Sequence, residues 1–376
     1  MSVRARDLGI VIGTLSPGPN NAITDVAGVR VGHHTLIDGD GPLVVGEGPI
    51  RTGVTVILPH GGDRWREAVY AGSHRLNGNG ELTGLAWIRE SGFLTTPIAL
   101  TTTHSVGTVR DALIAAEVRD RGVHSAGSFW SLPVVGETWD GQLNDDNGQH
   151  VTREHLFAAL DSASAGPVTE GNVGGGTGMI CHEFKGGIGT SSRVLPEEAG
   201  GFTVAALVQA NYGWRDRLSI AGVPVGREIP VSDVPSPWDE GKQPLPGTGS
   251  IIVILATDAP LLPHQCERLA QRAGLGLARV GGAGENGSGD LFLAFATGNA
   301  GMTIYDIDEP GPILRDIRTL VDGRMTPLFW AAIEATEEAI VNAMIAAETM
   351  VGRDGIIASR LPHDRVREVM ARYRPH

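Results

Sequence analysis

The sequence predicts a compact protein in which helices and strands are mixed along the chain. Of its 376 residues, 41% are hydrophobic and 19% are charged, a globular composition with enough apolar chain for a large core. Short runs of β-branched residues, such as IIVIL at positions 251–255, alternate with helix-like segments. The 53 glycines are spread through the chain without a repeat, which indicates many tight turns between elements. We expect residues 1–376 to form a single body, since α/β folds of this size can be one domain.

Charge and cysteine content exclude several classes of protein. The net charge of −13 argues against nucleic acid or an anionic membrane as a partner. We find neither an apolar run of 18 residues nor the apolar segment of a signal peptide. Cys181 and Cys266 are too few for a disulfide framework and are typical of a reducing compartment. The cytoplasm is therefore the expected location.

The N-terminal part of the chain predicts short strands at residues 10–14, 29–33 and 54–58. Histidines stand at the end of two of these segments or just after them, at positions 33, 34 and 60. No carboxylate or cysteine stands at a recognisable metal-ligand spacing from them. We therefore predict neither a metal site nor a cofactor.

The central part alternates strands and helices. The predicted elements are a loop at 77–81, a helical or mixed segment at 83–91, a strand at 97–103, a helix at 108–122, a strand at 133–141 and a helix at 152–162. The strand at 133–141 carries Glu137, Trp139 and Asp140 near its end. For the two acids, this segment alone favours a solvated turn.

A glycine-dense stretch covers residues 171–192, but it lacks the spacing of a phosphate-binding loop. It predicts two strands joined by a tight turn at 185–187, and a further strand at 202–210 ends in Asn211. The remaining predicted elements are a helix at 263–273 stopped by Gly274, a glycine loop at 281–290, a strand at 291–297, and helices at 326–350 and 363–373.

The chain is organised around residues 235–258. A loop rich in proline and glycine, PSPWDEGKQPLPGTG, runs directly into an apolar strand, and Ser250 stands at the junction. If the Gly249–Ser250 bond were cut, Ser250 would carry a free α-amine beside its own hydroxyl. Such an amine has a pKa of about 7.7–8.0 and can take the hydroxyl proton, as in N-terminal nucleophiles. The alternative is that GTGS is an ordinary turn entering a strand.

Four further polar residues follow or begin strands: Glu137, Asn211, Ser288 and Asp290. Amide hydrolysis needs a nucleophile, a base, oxyanion donors and a group that holds the substrate. The amide of Asn211 could face an oxyanion, and Ser288 with Asp290 could orient the α-amine of Ser250. Glu137 could pair with a substrate amine. These roles require that the loops meet in space, which the sequence alone does not establish.

Several segments resemble a known family. They are PGPNNAITDVAGVRVGHHT near the start, GTGS at Ser250, NGSGD after it and NAMIAAETMVGRDG near the end. Together they are similar to the self-processing L-aminopeptidase/D-amidase-esterase family, whose relatives include β-peptidyl aminopeptidases. The resemblance implies an α+β fold, an αββα four-layer sandwich that looks like the N-terminal-nucleophile hydrolases but is connected differently.

The same resemblance implies a role for each candidate residue. The precursor would cleave itself between Gly249 and Ser250, giving chains of residues 1–249 and 250–376. Ser250 matches the nucleophile, and Asn211 matches the oxyanion residue. Ser288 and the acid at position 290 match the residues around the new amine, and Glu137 matches the acid that receives the substrate amine. Trp139 stands where some members carry a tyrosine, so we expect it to shape the pocket.

The resulting hypothesis is an aminopeptidase that acts on short peptides, amides or esters through an acyl-enzyme on Ser250. The resemblance also implies homo-oligomers, often tetramers of the cleaved unit. One alternative is an acyltransferase, or an amide hydrolase acting on pantetheine-like compounds, of the same architecture. A second is a non-catalytic protein that binds small molecules.

Overall fold

The computed structural model describes residues 2–122, 129–238, 248–303 and 312–373. The strands in these residues are β1 (Arg30–Asp38), β2 (Ile50–Leu58), β3 (Glu67–Gly78), β4 (Phe93–Leu94), β5 (Ile98–Thr101), β6 (Val134–Glu137), β7 (Ile180–Cys181), β8 (Phe184–Lys185), β9 (Gly187–Val194), β10 (Thr203–Asn211), β11 (Thr248–Thr257), β12 (Gly287–Ala296), β13 (Met302–Thr303), β14 (Met350–Val351) and β15 (Ile357–Ala358). The helices are α1 (Leu85–Ser91), α2 (Val106–Arg121), α3 (Arg153–Asp161), α4 (Val225–Glu228), α5 (Pro263–Val280), α6 (Thr326–Ile345) and α7 (His363–Tyr373). No helix in these ranges is long and apolar enough to cross a membrane.

The strands form two main sheets. The smaller sheet has the order β1-β2-β5-β6, and its β5–β6 pair is parallel. The larger sheet has the order β13-β3-β12-β11-β10-β9, with β4 paired to β3. Its central pair, β11 with β12, is parallel, whereas β10 and β3 run antiparallel to their neighbours. The strand that carries Ser250 is therefore in the middle of the larger sheet.

Helices cover the outer face of each sheet. Helices α5 and α6 pack on the larger sheet, and α2 and α3 pack on the smaller one. A third apolar layer lies between the sheets, where Leu100 of the smaller sheet shares a cluster with Leu207 and Ile254 of the larger one. The order of layers is therefore helix, sheet, sheet, helix. The αββα four-layer sandwich expected from the resemblance is confirmed.

The continuous apolar run in β11 follows from burial on both faces. Ile251 and Val253 share a cluster with helices α5 and α6, whereas Ile252 and Ile254 pack toward the smaller sheet. All four side chains are fully buried. A strand covered on both sides has no polar face, which is why its sequence is continuously hydrophobic rather than alternating.

The prediction of a strand at residues 10–14 is wrong. Ile10 and Ile12 are buried and contribute to the core, which produces a strand-like alternation. No neighbouring strand pairs with this segment in the described residues. Its polar backbone groups bind side chains instead: Glu334 accepts from the Thr14 N–H at 3.0 Å, and Arg193 donates to the Ile12 carbonyl at 2.8 Å.

Two helix ends also differ from prediction. Helix α5 continues past Gly274 to Val280, and α6 ends at Ile345 rather than at residue 350. Gly274 does not stop α5, and the helix continues along α6. A Cβ on Gly276 would lie 2.7 Å from Thr336 Cβ, so only glycine allows that approach. Of the predicted loop at 235–249, residues 239–247 lie outside the described residues.

Candidate active site

Ser250 lies within β11 rather than at a turn. The strand already includes Thr248 and Gly249, and Ser250 stands opposite Asn211 of β10 and Gly289 of β12. Its side chain is buried, and its Oγ accepts a hydrogen bond from the Gly289 N–H at 3.1 Å. Because β11 has a strand on each side, the backbone that carries this hydroxyl is fixed by two paired neighbours.

Gly249 is required by its conformation and by its neighbours. Its φ of +142° is rare for residues with a side chain. A Cβ at this position would lie 3.0 Å from Tyr212 Cα and 3.1 Å from the Asn211 carbonyl oxygen. The backbone on the N-terminal side of Ser250 therefore packs directly on the end of β10.

Ser288 and Asp290 reach Ser250 through the parallel pairing of β12 with β11, which places Ser288 beside Gly249 and Asp290 beside Ile251. The Ser288 hydroxyl donates to Asp290 Oδ1 at 2.6 Å. Asp290 Oδ2 is buried and has no hydrogen-bond partner in the described residues. Burial raises the pKa of Asp290 to about 6, against the opposing effect of the Ser288 hydroxyl. A carboxyl group with a raised pKa thus lies on the strand next to the one that carries Ser250.

Asn211 is held at both ends of its amide. Its Oδ1 accepts from the Ile180 N–H at 2.8 Å, and its Nδ2 donates to the Trp139 carbonyl at 2.8 Å. A backbone N–H only donates and a carbonyl only accepts, so these partners fix which way the amide points. The second N–H of Nδ2 has no acceptor among the described residues.

Glu137 lies at the end of β6, in the smaller sheet, and is buried. Its Oε1 accepts from the Glu81 N–H at 2.8 Å, and its Oε2 accepts from the Thr103 hydroxyl. Desolvation raises the pKa of Glu137 above its usual value. Asp140 is also buried, so the interpretation of this segment as a solvated turn is wrong. The two sheets touch here, since a Cβ on Gly136 would lie 3.3 Å from Ile252 Cγ1.

A cavity of about 540 Å³ joins these groups. Ser250, Asn211, Glu137 and Trp139 all line it, so the structure brings these four predicted site residues together. Ser288 and Asp290 do not line the cavity and are buried, in contact with the strand that carries Ser250. Trp139 is 43% exposed, as expected of a residue that shapes a wall.

The sequence did not identify three other lining residues as part of the site. His104 lines the cavity, and its Nδ1 lies 3.1 Å from Asp146 Oδ2. Tyr212 follows Asn211, and its buried hydroxyl has no hydrogen-bond partner in the described residues. Trp238 also lines the cavity and is the last described residue before the segment 239–247. The carbonyl of the preceding residue, Pro237, accepts from the Gln142 side chain at 2.9 Å. The position of His104 after a strand was a usable signal, whereas Trp238 looked like one residue of a loop.

Among the described residues, no group of three or more His, Cys, Asp or Glu could hold a metal ion.

Residues 21–358 match the model of peptidase family S58. The chain belongs to this family. Across 99% of its length it is 48% identical to "Beta-peptidyl aminopeptidase BapA" of Sphingosinicella microcystinivorans, and it covers 92% of that protein.

Solved structures of similar proteins agree with the S58 assignment. A "Burkholderia sp. beta-aminopeptidase" superposes with a TM-score of 0.91 at 53% identity, over 99% of this chain and 100% of the other. The "l-aminopeptidase d-ala-esterase/amidase" of Ochrobactrum anthropi has a TM-score of 0.86 at 46% identity, over 98% of each chain. Its description, "a prototype for the serine aminopeptidases", also names "a new variant among the ntn hydrolase fold". As an S58 member, this chain is a hydrolase of the aminopeptidase class that acts on peptide or amide bonds.

Proposed function

We propose that this protein is a serine aminopeptidase that first cleaves its own Gly249–Ser250 bond. It then uses Ser250 to release N-terminal residues from short peptides, amino-acid amides and esters. The observation that carries the proposal is the position of Ser250. It lines a cavity, and its backbone is paired with Asn211 on one neighbouring strand and with Gly289 on the other.

In the self-cleavage step, the Ser250 hydroxyl oxygen attacks the carbonyl carbon of Gly249. The C–N bond then breaks, the proton of the hydroxyl ends on the departing nitrogen, and an ester links the two halves. Water hydrolyses this ester to give residues 1–249 and 250–376. The N–H of Asn211 Nδ2 that has no acceptor among the described residues would donate to the oxyanion that develops on the Gly249 carbonyl.

In the aminopeptidase cycle, the α-amine of Ser250 acts as the base for its own hydroxyl. Asp290 Oδ2, which has no hydrogen-bond partner among the described residues, and the Ser288 hydroxyl are the polar groups that would hold that amine. The hydroxyl attacks the substrate carbonyl, the leaving amine takes the proton, and an acyl-enzyme forms. Water then releases the acid and restores Ser250.

Glu137 is the group that selects a free N-terminus. Its carboxylate is buried at the cavity and forms hydrogen bonds only with the Glu81 N–H and the Thr103 hydroxyl in the described residues. A substrate ammonium would add a charge-assisted hydrogen bond to this carboxylate. An N-acylated substrate would leave the carboxylate without a cationic partner. The similarity to enzymes named for β-peptides makes β-amino-acid amides substrates to test alongside L- and D-amino-acid amides.

Assembly and location form a further part of the proposal. Large apolar side chains are exposed at Ile313, Leu314, Val321 and Trp330, which supports burial against other copies in a tetramer of cleaved units. Light scattering after size-exclusion chromatography measures that mass directly. Both cysteines are free, which is consistent with the reducing cytoplasm.

The deciding experiment is an intact-mass spectrum of the purified protein beside a Ser250→Ala variant. Two fragments divided at Gly249/Ser250 in the parent, with one full-length chain in the variant, support the proposal. Release of p-nitroaniline from amino-acid p-nitroanilides then tests the second activity. A single full-length mass in both samples would remove the α-amine from the mechanism and favour a binding protein. Capture of the acyl group by added amines in preference to water would favour an acyltransferase.

A further inference from the structure

Lys185 is fully buried and pairs across two short strands with Ile180, a residue that lines the cavity. Its Nζ donates to three main-chain carbonyl oxygens, those of Gly176 at 3.3 Å, Met179 at 2.6 Å and Gly186 at 3.0 Å. These are its only hydrogen-bond partners within the described residues. Burial lowers the pKa of Lys185 to about 7, and nearby Asp140 acts in the opposite direction. Burying an ammonium without a bound carboxylate is unfavourable, so packing alone does not explain this lysine.

One of these carbonyls connects Lys185 to the predicted oxyanion residue. The carbonyl of Met179 accepts from Lys185 Nζ at 2.6 Å, and the N–H of the next residue, Ile180, donates to Asn211 Oδ1 at 2.8 Å. Both groups belong to one planar peptide unit, in which the C=O and the N–H point in opposite directions. The side chain of Asn211 continues the chain of hydrogen bonds, since its Nδ2 donates to the Trp139 carbonyl at 2.8 Å.

Hydrogen bonds arranged in series strengthen one another. When charged Lys185 Nζ binds the Met179 carbonyl, it polarises the peptide group and makes the N–H of Ile180 a better donor. That N–H in turn makes the Asn211 amide a better donor at Nδ2. The same contacts hold the main chain of residues 176–186, in which Gly178 and Ile180 line the cavity. Lys185 can therefore affect both the placement and the donor strength of Asn211 without entering the cavity.

We propose that Lys185 is a positioning residue for oxyanion binding, acting on the Asn211 side chain through the peptide group between Met179 and Ile180. The proposal rests on the oxyanion role of Asn211 in the proposed function. Lys185 touches neither the substrate nor the reacting atoms in this role.

Arg215 offers a matched control within the same region. It is also buried, and its guanidinium donates to main-chain carbonyls, including those of His182 at 3.2 Å and Glu183 at 2.8 Å. None of its hydrogen bonds in the described residues leads to Asn211. A loss of stability without an effect on the oxyanion is therefore the expected result of Arg215→Met.

The test is a double-mutant cycle between Lys185→Met and Asn211→Ala. Lys185→Met retains the length of the side chain and removes the charge, and replacement of a buried charge by an apolar group is often tolerated. We expect kcat for an amino-acid p-nitroanilide to fall about 10- to 100-fold with KM within about twofold, because an oxyanion donor acts in the transition state. In the Asn211→Ala background, the same change should have almost no further effect. For the control, the fold-changes in kcat caused by Arg215→Met and by Asn211→Ala should multiply in the double variant.

Two further readouts do not depend on turnover. The rate constant of self-cleavage should show the same non-additive pattern as kcat. In uncleaved Ser250→Ala protein labelled with ¹⁵N-asparagine, the side-chain amide signals of Asn211 should shift with Lys185→Met and with Lys185→Gln, but not with Arg215→Met. Unchanged signals, or effects of Lys185→Met and Asn211→Ala that multiply fully, would overturn the inference. Full activity in Asn211→Ala would instead overturn the oxyanion assignment of the proposed function.

Discussion

Ser250 and Asn211 are paired residues on adjacent antiparallel strands, β11 and β10. In sequence they are 39 positions apart, yet the register of the sheet fixes their separation before any substrate binds. In the proposed function these two residues are the nucleophile and the oxyanion donor, and groups held on rigid strands lose little entropy when they meet a substrate, which is the condition for effective preorganisation. The predictions below concern the groups around this pair.

Asp290→Asn is expected to stabilise the folded chain at pH 8 and not at pH 4. Burial raises the pKa of Asp290 from 3.8 to about 6, so the folded state retains a proton that the unfolded state releases between those values. Stability contributed by the protonated carboxyl is therefore lost as the pH rises through about 6. The gain on removing the charge should be about 1–3 kcal/mol at pH 8. Urea unfolding of uncleaved Ser250→Ala protein, with and without Asp290→Asn, measures it, and equal gains at both pH values would contradict the assignment.

Glu137→Gln should lower kcat/KM for substrates with a free amine by about 10- to 100-fold, because the charge-assisted hydrogen bond to the ammonium is lost. The ratio of kcat/KM for the free-amine substrate to kcat/KM for the matching N-acetyl substrate should fall by the same factor. Glu81→Gln is the control, since Glu81 also lines the cavity but its side chain is exposed. If both variants behaved alike, the amine would be bound by the general negative charge of the cavity rather than by Glu137.

Trp238→Ala should reduce kcat/KM for bulky apolar amides more than for alanine amides. Trp238 lines the cavity and packs on a cluster that includes Ile180 and Met350, so its ring offers apolar area to a substrate side chain. Loss of such contacts is worth about 1–3 kcal/mol, or roughly 10- to 200-fold in discrimination. Trp330→Ala, an exposed tryptophan on α6, should leave the ratio between the two substrates unchanged.

Gly249→Ala should slow self-cleavage by about tenfold or more, since a strained residue of this kind costs roughly 1–3 kcal/mol. The new Cβ would press on Tyr212 Cα and on the Asn211 carbonyl, displacing the carbonyl that Ser250 must attack. Gly222→Ala is a suitable control because its φ of +81° is also positive while no atom lies within 4 Å of its Cβ position. A time course of intact mass should show normal processing for the control. Equal rates in both variants would mean that the crowding at residue 249 has no effect on the reaction.

The strands and helices that carry the site were largely predictable, since hydrophobic periodicity reports burial. The apolar run of β11 and the strand before Asn211 have sequences dictated by covered faces. Residues 10–14 show the limit of this method. Alternating burial suggests a strand there, but a Glu334 carboxylate and an Arg193 guanidinium bind the backbone instead, and those residues are far away in sequence.

The site was predicted only as a set of separate strand ends. Residue chemistry suggested roles for Ser250, Asn211 and Glu137, the family resemblance matched them, and the sheet register shows how the first two are paired. The sequence did not identify Lys185 or Trp238 as part of the site, because their roles depend on what their side chains contact. A lysine beside two glycines is an unremarkable turn until three carbonyls are seen to surround its ammonium. Such contacts depend on tertiary packing, which spacing along one chain does not encode.

The strand order β3-β12-β11-β10 has a consequence for reversibility if the chain is cut before Ser250. The two middle strands would then belong to the second fragment and both flanking strands to the first, so the fragments could not separate without exposing the core. Unfolding of the cleaved protein would create two molecules that must find each other again, whereas the precursor folds as one. Recovery from denaturant should therefore depend on protein concentration for the cleaved form alone. Self-cleavage would make folding a step that the protein completes once.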